Sequence, residues 1–138
     1  MLVGHLVIIQ RDRPEFDVGR QFGLGRLSVE IHLVPGEAVA AVLARCSLLL
    51  ANDGGVGHVA AAVGTPVVSV FGPSNDRAWR PLTSTVVAAD LPCRPCLYRG
   101  FGLGLPAGCA TRECLQLVSA SMVSDAALAI LRDGRVAG

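Results

Sequence analysis

Apolar positions along this chain fall into short runs separated by turn residues, and the spacing within each run predicts its element. Residues 48–51, Leu-Leu-Leu-Ala, form a continuous apolar run, the signature of a strand covered on both faces. Residues 2–9 and 67–71 have the same character and are rich in Val and Ile. Residues 85–89 predict a last short strand. Val29, Ile31 and Leu33 alternate with Glu30 and His32, which predicts a half-exposed strand near a sheet edge. Between the strands the spacing becomes helical. Residues 37–45 place Ala38, Val39, Val42 and Leu43 on one face, with Glu37 at the start and Arg45 at the end. Residues 56–63 contain the helix formers Ala60, Ala61 and Ala62, and Gly64, Thr65 and Pro66 stop that helix. Residues 119–132 predict an amphipathic helix with Met122, Ala126, Ala129 and Ile130 as its stripe, Ser119 at its start and Gly134 after its end. Asp12, Pro14 and Glu15 suit a helix start, with Phe16 and Phe22 facing the sheet and Gly23 as the stop. Pro35-Gly36 is a turn, and Trp79 and Pro81 lie in a polar connection. Strands alternating with helices need crossovers, so the expected class is α/β with a parallel sheet.

Composition narrows the functional classes. With 138 residues, 51% of them hydrophobic, the chain can bury a core without staples. A net charge of +1 gives no electrostatic support for nucleic-acid binding. No apolar stretch reaches the roughly 18 to 20 residues of a membrane span. Residues 2–9 lack a basic flank before them and meet Arg11, Asp12 and Arg13 directly after, so they read as a strand rather than a signal peptide. The expected location is the cytoplasm or the periphery of the inner membrane.

The chemistry concentrates in three places. Asn52 and Asp53 end the strand at 48–51, and Gly54, Gly55 and Gly57 follow just where the next helix begins. The first turn of a helix offers unpaired backbone N–H groups and partial positive charge, and glycines let a phosphate approach closely. The first-turn N–H groups are therefore the expected anion donors, and His58 is expected either to donate to phosphate rather than act as a base or to be a capped or solvent-facing side chain. The plain alternative is a turn that only joins strand to helix. Gly72-Pro73-Ser74 opens a second loop, at the carboxyl end of the strand at 67–71. Ligands of open α/β sheets sit beyond such ends, so neighbouring strands would bring the two loops to one crevice. The alternative is again a plain turn. Glu37 reads as a surface acid at a helix start. Finally, Cys93, Cys96, Cys109 and Cys114 form Cys-x2-Cys-x12-Cys-x4-Cys, two close pairs flanking a glycine-rich loop. This spacing suits a four-thiolate metal site, zinc by default, or else four reduced thiols. Arg94, Arg99 and Arg112 around it either meet an anionic acceptor or form a solvated face. Cys46 is solitary and reads as a small core residue in a helix. No organic cofactor is implied.

The run Asn52-Asp-Gly-Gly-Val-Gly-His58, then Ala60-Ala-Ala-Val-Gly-Thr-Pro-Val-Val-Ser-Val-Phe-Gly-Pro-Ser74, resembles the ADP-heptose:lipopolysaccharide heptosyltransferase family. That family carries Asn-Asp-(Ser/Thr)-Gly-x-x-His, Ala-Ala-x-Gly-Thr-Pro and Phe-Gly-Pro-(Ser/Thr) in this order. The resemblance spans about residues 37–132 and includes Trp79-Arg-Pro81 and the Cys-x-x-Cys tail; the first 36 residues carry no clear match. It implies the C-terminal, donor-binding half of a glycosyltransferase with two Rossmann-like domains (GT-B type). Residues 1–91 would be an incomplete nucleotide-sugar-binding domain, and residues 92–138 a cysteine loop and helix packed on it. The implied reaction is heptose transfer from an ADP-sugar to a lipopolysaccharide core acceptor, with inversion. The other half of the enzyme would bind the acceptor and supply the catalytic carboxylate. Some autotransporter-modifying relatives hold iron on four cysteines of this tail, so the resemblance adds iron beside zinc.

The chain departs from the family pattern. Gly54 replaces a Ser or Thr, which removes a hydroxyl near phosphate. Gly57 replaces a Pro or Met and is expected to loosen the first helical turn. The acceptor domain and the family's phosphate-contacting lysine have no counterpart, so the isolated chain is expected to be inactive and, with uncovered apolar edges, to self-associate. The alternative class is a non-catalytic nucleotide-binding or interaction module that keeps the scaffold and a four-cysteine knuckle.

Overall fold

The computed structural model describes residues 7–10, 36–96, 109 and 111–133. In chain order these form strand β1 (Val7–Gln10), helix α1 (Gly36–Leu43), strand β2 (Cys46–Asn52), helix α2 (Gly55–Ala62), strand β3 (Val67–Phe71), the single-turn helix α3 (Asp76–Trp79), strand β4 (Thr85–Ala88), the single-turn helix α4 (Glu113–Gln116) and helix α5 (Ala120–Arg132). The expected helix after Asp12, the strand at Val29, Ile31 and Leu33, and most of the strand at 2–9 lie outside the described residues.

The sheet order is β1-β2-β3-β4. Strands β2, β3 and β4 are parallel, with Asn52 opposite Val70 and Phe71 opposite Ala88. This is the open α/β sheet expected from the alternation of elements. Strand β1 corrects the all-parallel expectation: it pairs antiparallel with β2, Val7 opposite Leu50. An antiparallel edge on a parallel sheet is a common arrangement.

Strand β2 is covered on both faces, as its unbroken apolar run requires. On one face Leu49 and Ala51 pack with Val39 and Leu43 of α1, Ala60 of α2 and Val67 of β3. On the other, Leu48, Val68 and Val87 pack with Ala127 of α5. The helices therefore lie on both sides of the sheet. Leu43, Leu48, Leu49, Val67, Val68 and Phe71 are completely buried, each worth about 1.5–3 kcal/mol of apolar transfer.

Several sequence expectations need correction. Helix α1 buries only Val39 and Leu43; Ala38 and Val42 face solvent. It ends before Arg45, and Gly36 is its first residue rather than part of a turn. Cys46 opens β2 and is not helical. The inward stripe of α5 is Val123, Ala126, Ala127, Ile130 and Leu131; Met122 and Ala129 are exposed. Helices α3 and α4 were not anticipated, being single turns too short to show a period. The α3 turn is instead held by a cap, the Asn75 side chain accepting from the amides of Arg77 and Ala78 at 3.0 and 3.3 Å. Ser119 caps α5 as expected, accepting from the Met122 amide at 3.2 Å.

The stop after α2 is built by hydrogen bonds. Gly64 adopts φ 82°, the left-handed conformation that suits glycine at a helix end. Its amide donates to the Ala61 carbonyl at 3.2 Å, and the Thr65 amide donates to that of Ala60 at 2.9 Å. The buried Thr65 hydroxyl donates to the Leu43 carbonyl at 2.6 Å. It thus ties the start of β3 to the end of α1.

Candidate functional site

Because β2 and β3 are parallel neighbours, the loops that follow them leave the same end of the sheet side by side. The Asp53 amide donates to the Val70 carbonyl at 3.0 Å, extending the β2–β3 ladder by one bond. Beyond it the pairing stops. Among the described residues, the amides of Gly54 and Gly55 have no hydrogen-bond partner, and no side chain caps α2. Asp53, Gly54, Gly55 and His58 are all exposed. A Cβ on Gly55 would meet nothing within 4 Å, and one on Gly54 would meet only the Asn52 carbonyl, at 3.9 Å. No described residue plugs the corner, and its unpaired N–H groups carry the partial positive charge of a helix start. An anion is the ligand such a corner can hold.

Gly57 differs from its neighbours. It is buried, and a Cβ there would stand 2.9 Å from the Pro81 ring. The missing side chain lets the connection between α3 and β4 lie directly on α2. Trp79, two residues before Pro81, remains 51% exposed.

The second loop is closed where the first is open. The Gly72 carbonyl accepts from Arg94 Nε at 2.7 Å, and the Pro73 carbonyl accepts from the Cys96 amide at 2.8 Å. A Cβ on Gly72 would come within 2.6 Å of Leu115. Ser74 is buried. Gly72, Pro73 and Ser74 thus border the same end of the sheet as Asp53, but the residues around the cysteines already occupy much of their polar surface. Arg94 is a correction. Its guanidinium reaches Gly72, Ala89 and Asp76 rather than solvent, and so it is committed internally. Arg112 is exposed, and Arg99 lies outside the described residues.

The four tail cysteines are free thiols that influence one another. Burial raises the Cys96 pKa, and its neighbours Cys93, Cys114 and Cys109 raise it further. Burial likewise raises that of Cys114, with Cys109 and Cys93 adding to it. Cys109 is shifted the other way: its sulfur is hydrogen-bonded to the Thr111 hydroxyl and accepts the Arg112 amide at 3.3 Å, which favours the thiolate. Among the described residues, no three His, Cys, Asp or Glu side chains are placed to hold one metal ion. Cys46 is buried, its thiol donating to the Val42 carbonyl at 3.1 Å.

Fold and corner together define an open α/β domain of the kind that places ligands beyond the carboxyl ends of parallel strands. Residues 36–102 match the model of glycosyltransferase family 9 (heptosyltransferase). It is similar to lipopolysaccharide heptosyltransferase 1 of Pseudomonas aeruginosa, 41% identical over 63 residues that cover 44% of this chain and 18% of that protein. It is also similar to lipopolysaccharide heptosyltransferase 3 of Escherichia coli, 39% identical over 49 residues covering 36% of this chain and 14% of that protein. The chain therefore spans less than a fifth of the curated relatives it matches. No solved structure matches it significantly. No described helix is long and apolar enough to cross a membrane.

Proposed function

We propose that this chain is the donor-binding segment of a heptosyltransferase-like glycosyltransferase and that it holds the diphosphate of an ADP-sugar at the start of α2. One observation carries the reading: among the described residues, the Gly54 and Gly55 amides are unpartnered, exposed and unobstructed beside the strand end at Asp53. In sugar transfer from a nucleotide, negative charge builds on the leaving diphosphate, and preorganised N–H donors lower the barrier by stabilising it. His58 adds a side-chain donor in the first turn, and Asp53 faces the sugar. The acceptor, a lipopolysaccharide core or related glycan, and the catalytic carboxylate come from residues outside this segment. The isolated chain releases no heptose from an ADP-sugar.

Calorimetric titration with ADP tests this. The expected result is saturable, magnesium-independent binding; no heat at millimolar ADP removes the donor reading. That negative result would favour the alternative, a non-catalytic interaction module. The Cys-x2-Cys-x12-Cys-x4-Cys spacing supports a second component, a structural zinc or iron on Cys93, Cys96, Cys109 and Cys114. Elemental analysis checks it: near one equivalent is expected, and under a tenth of an equivalent excludes it.

A further inference from the structure

We infer that Arg94 is a positioning residue for the donor site, fastening the Gly72-Pro73-Ser74 loop from behind; the inference rests on the donor reading above. Its guanidinium makes three hydrogen bonds to three separate elements. Nε donates to the Gly72 carbonyl just beyond β3 at 2.7 Å. One terminal nitrogen donates to the Ala89 carbonyl just beyond β4 at 2.8 Å. The other donates to the Asp76 carboxylate, the first residue of α3, at 3.3 Å. The Arg94 side chain is only 12% exposed and that of Asp76 35%. Burying a guanidinium is costly unless its donors are matched and its charge is offset. Here two carbonyls and one carboxylate meet both conditions.

The geometry suits arginine specifically. A planar fork can serve acceptors in three directions, whereas a lysine ammonium is a point charge on a flexible stem. The carbonyls it gathers belong to the ends of adjacent parallel strands, at the edge of the sheet where the Gly54 and Gly55 amides stand open. The chain then returns from Arg94 to the same loop, the Cys96 amide donating to the Pro73 carbonyl at 2.8 Å. One three-residue segment, Arg94 to Cys96, therefore holds the loop at two successive carbonyls. With Arg94 removed, Gly72 and Ala89 lose their donors and Asp76 loses its counter-charge. The loop and α3 are then free to move across the crevice that the donor must enter.

Arg94→Ala, Arg94→Lys and Asp76→Asn test the clamp, with ADP affinity, far-UV circular dichroism and hydrogen exchange of the free protein as readouts. Arg94→Ala is expected to keep its circular dichroism and weaken ADP binding about tenfold, the loss of one or two charge-assisted bonds. Added guanidinium ion should restore part of that loss, which a general loss of stability would not allow. Arg94→Lys should lie between, and Asp76→Asn should weaken binding about two- to threefold by the same arithmetic. In the free protein, exchange should rise at residues 72–79 and 89–96 but not in β2 or α2. Wild-type ADP affinity in a folded Arg94→Ala overturns the inference. If Arg94→Ala does not fold, unchanged affinity in both Arg94→Lys and Asp76→Asn overturns it equally. If the wild-type protein binds no ADP, the donor reading has failed, and exchange decides whether Arg94 still clamps the loop: unchanged protection at residues 72–79 means it does not.

Discussion

Two glycine-containing loops leave the same end of the sheet, and they are used in opposite ways. After β2, Gly54 and Gly55 keep unpaired amides and open space around their α-carbons among the described residues. After β3, Gly72 has its carbonyl engaged by Arg94 and its missing side chain replaced by Leu115. The first loop is left open toward a ligand, while the second anchors the tail of the chain. A glycine here thus has two distinct meanings. It leaves room either for something that comes from outside or for a neighbour already in place. The distinction is testable, because adding a side chain should damage binding in one loop and packing around the other.

The largest effect is expected at the open loop. Gly55→Trp places an indole where nothing now stands, at a backbone conformation that tolerates a side chain. Stability should change little, and ADP affinity should fall at least about thirtyfold, the cost of excluding one diphosphate contact surface. Calorimetry and a thermal melt on the same sample check this. Unchanged affinity would mean that the diphosphate does not use this corner.

Packing costs come next. Gly57→Ala brings a methyl to 2.9 Å from the Pro81 ring, a rigid neighbour that itself is buried. The expected cost is about 1–3 kcal/mol, typical of overpacking, read as a lower denaturation midpoint with an unchanged slope. Gly72→Ala creates a nominally closer approach, 2.6 Å to Leu115. Leu115 is 39% exposed, however, and its side chain, whose Cγ also stands 3.0 Å away, can turn as a whole toward solvent. We therefore expect a smaller cost, under about 1 kcal/mol. A reversed order would show the α4 turn to be held more firmly on the loop than Pro81 is on α2.

The tail's hold on the closed loop can be followed through its thiols. Alkylating reagents attack the thiolate. Hydrogen bonds from Thr111 and Arg112 lower the Cys109 pKa, so at a given pH below its ordinary range more of it is ionised. Burial raises that of Cys114, whose ionisation is postponed to higher pH. In protein stripped of metal by a chelator, iodoacetamide at pH 8 should label Cys109 several times faster than Cys114 by peptide mass spectrometry. Equal rates would mean that α4 opens away from Gly72 on the labelling timescale.

How much of this was legible in the sequence follows from the range of each interaction. The runs at 48–51 and 67–71 report burial on both faces, and their strands are present nearly as predicted. Gly64, Thr65 and Pro66 carry local stop chemistry that the hydrogen bonds reproduce. The order of motifs placed the Asp53 and Gly72 loops at strand ends, and the parallel pairing brings them together. The antiparallel direction of β1 was not legible, because an apolar run carries no sign of direction. The inward stripe of α5 gains Val123, Ala127 and Leu131 and leaves Met122 and Ala129 exposed, because apolar residues stand on both sides of the predicted face and periodicity alone does not choose between them. Arg94 was misread because nothing local distinguishes a guanidinium that meets carbonyls 5 and 22 residues away from one in solvent. The packing of Gly57 is illegible for the same reason, since its partner Pro81 is 24 positions further on.

The smallest expected effect probes the open loop by addition. Where the family pattern has Ser or Thr, this chain has Gly54. Its backbone is extended, at φ 170°, which any residue adopts. An added Cβ would meet only a carbonyl at 3.9 Å. Gly54→Ser is therefore accommodated, and serine is at least as good as glycine before a helix, because its hydroxyl can cap the first turn. Stability should be unchanged or rise by up to about 1 kcal/mol. The affinity change separates two fates of the hydroxyl. If it turns toward the diphosphate, ADP should bind two- to fivefold more tightly, about 0.4–1 kcal/mol for one added hydrogen bond. If it instead caps an amide that the ligand needs, ADP binding weakens while the melting temperature rises. The second outcome would locate the anion on those amides by competition. An affinity and a melting temperature both indistinguishable from wild type would place the ligand away from Gly54 and leave Gly55 and His58 as the donors still to be tested.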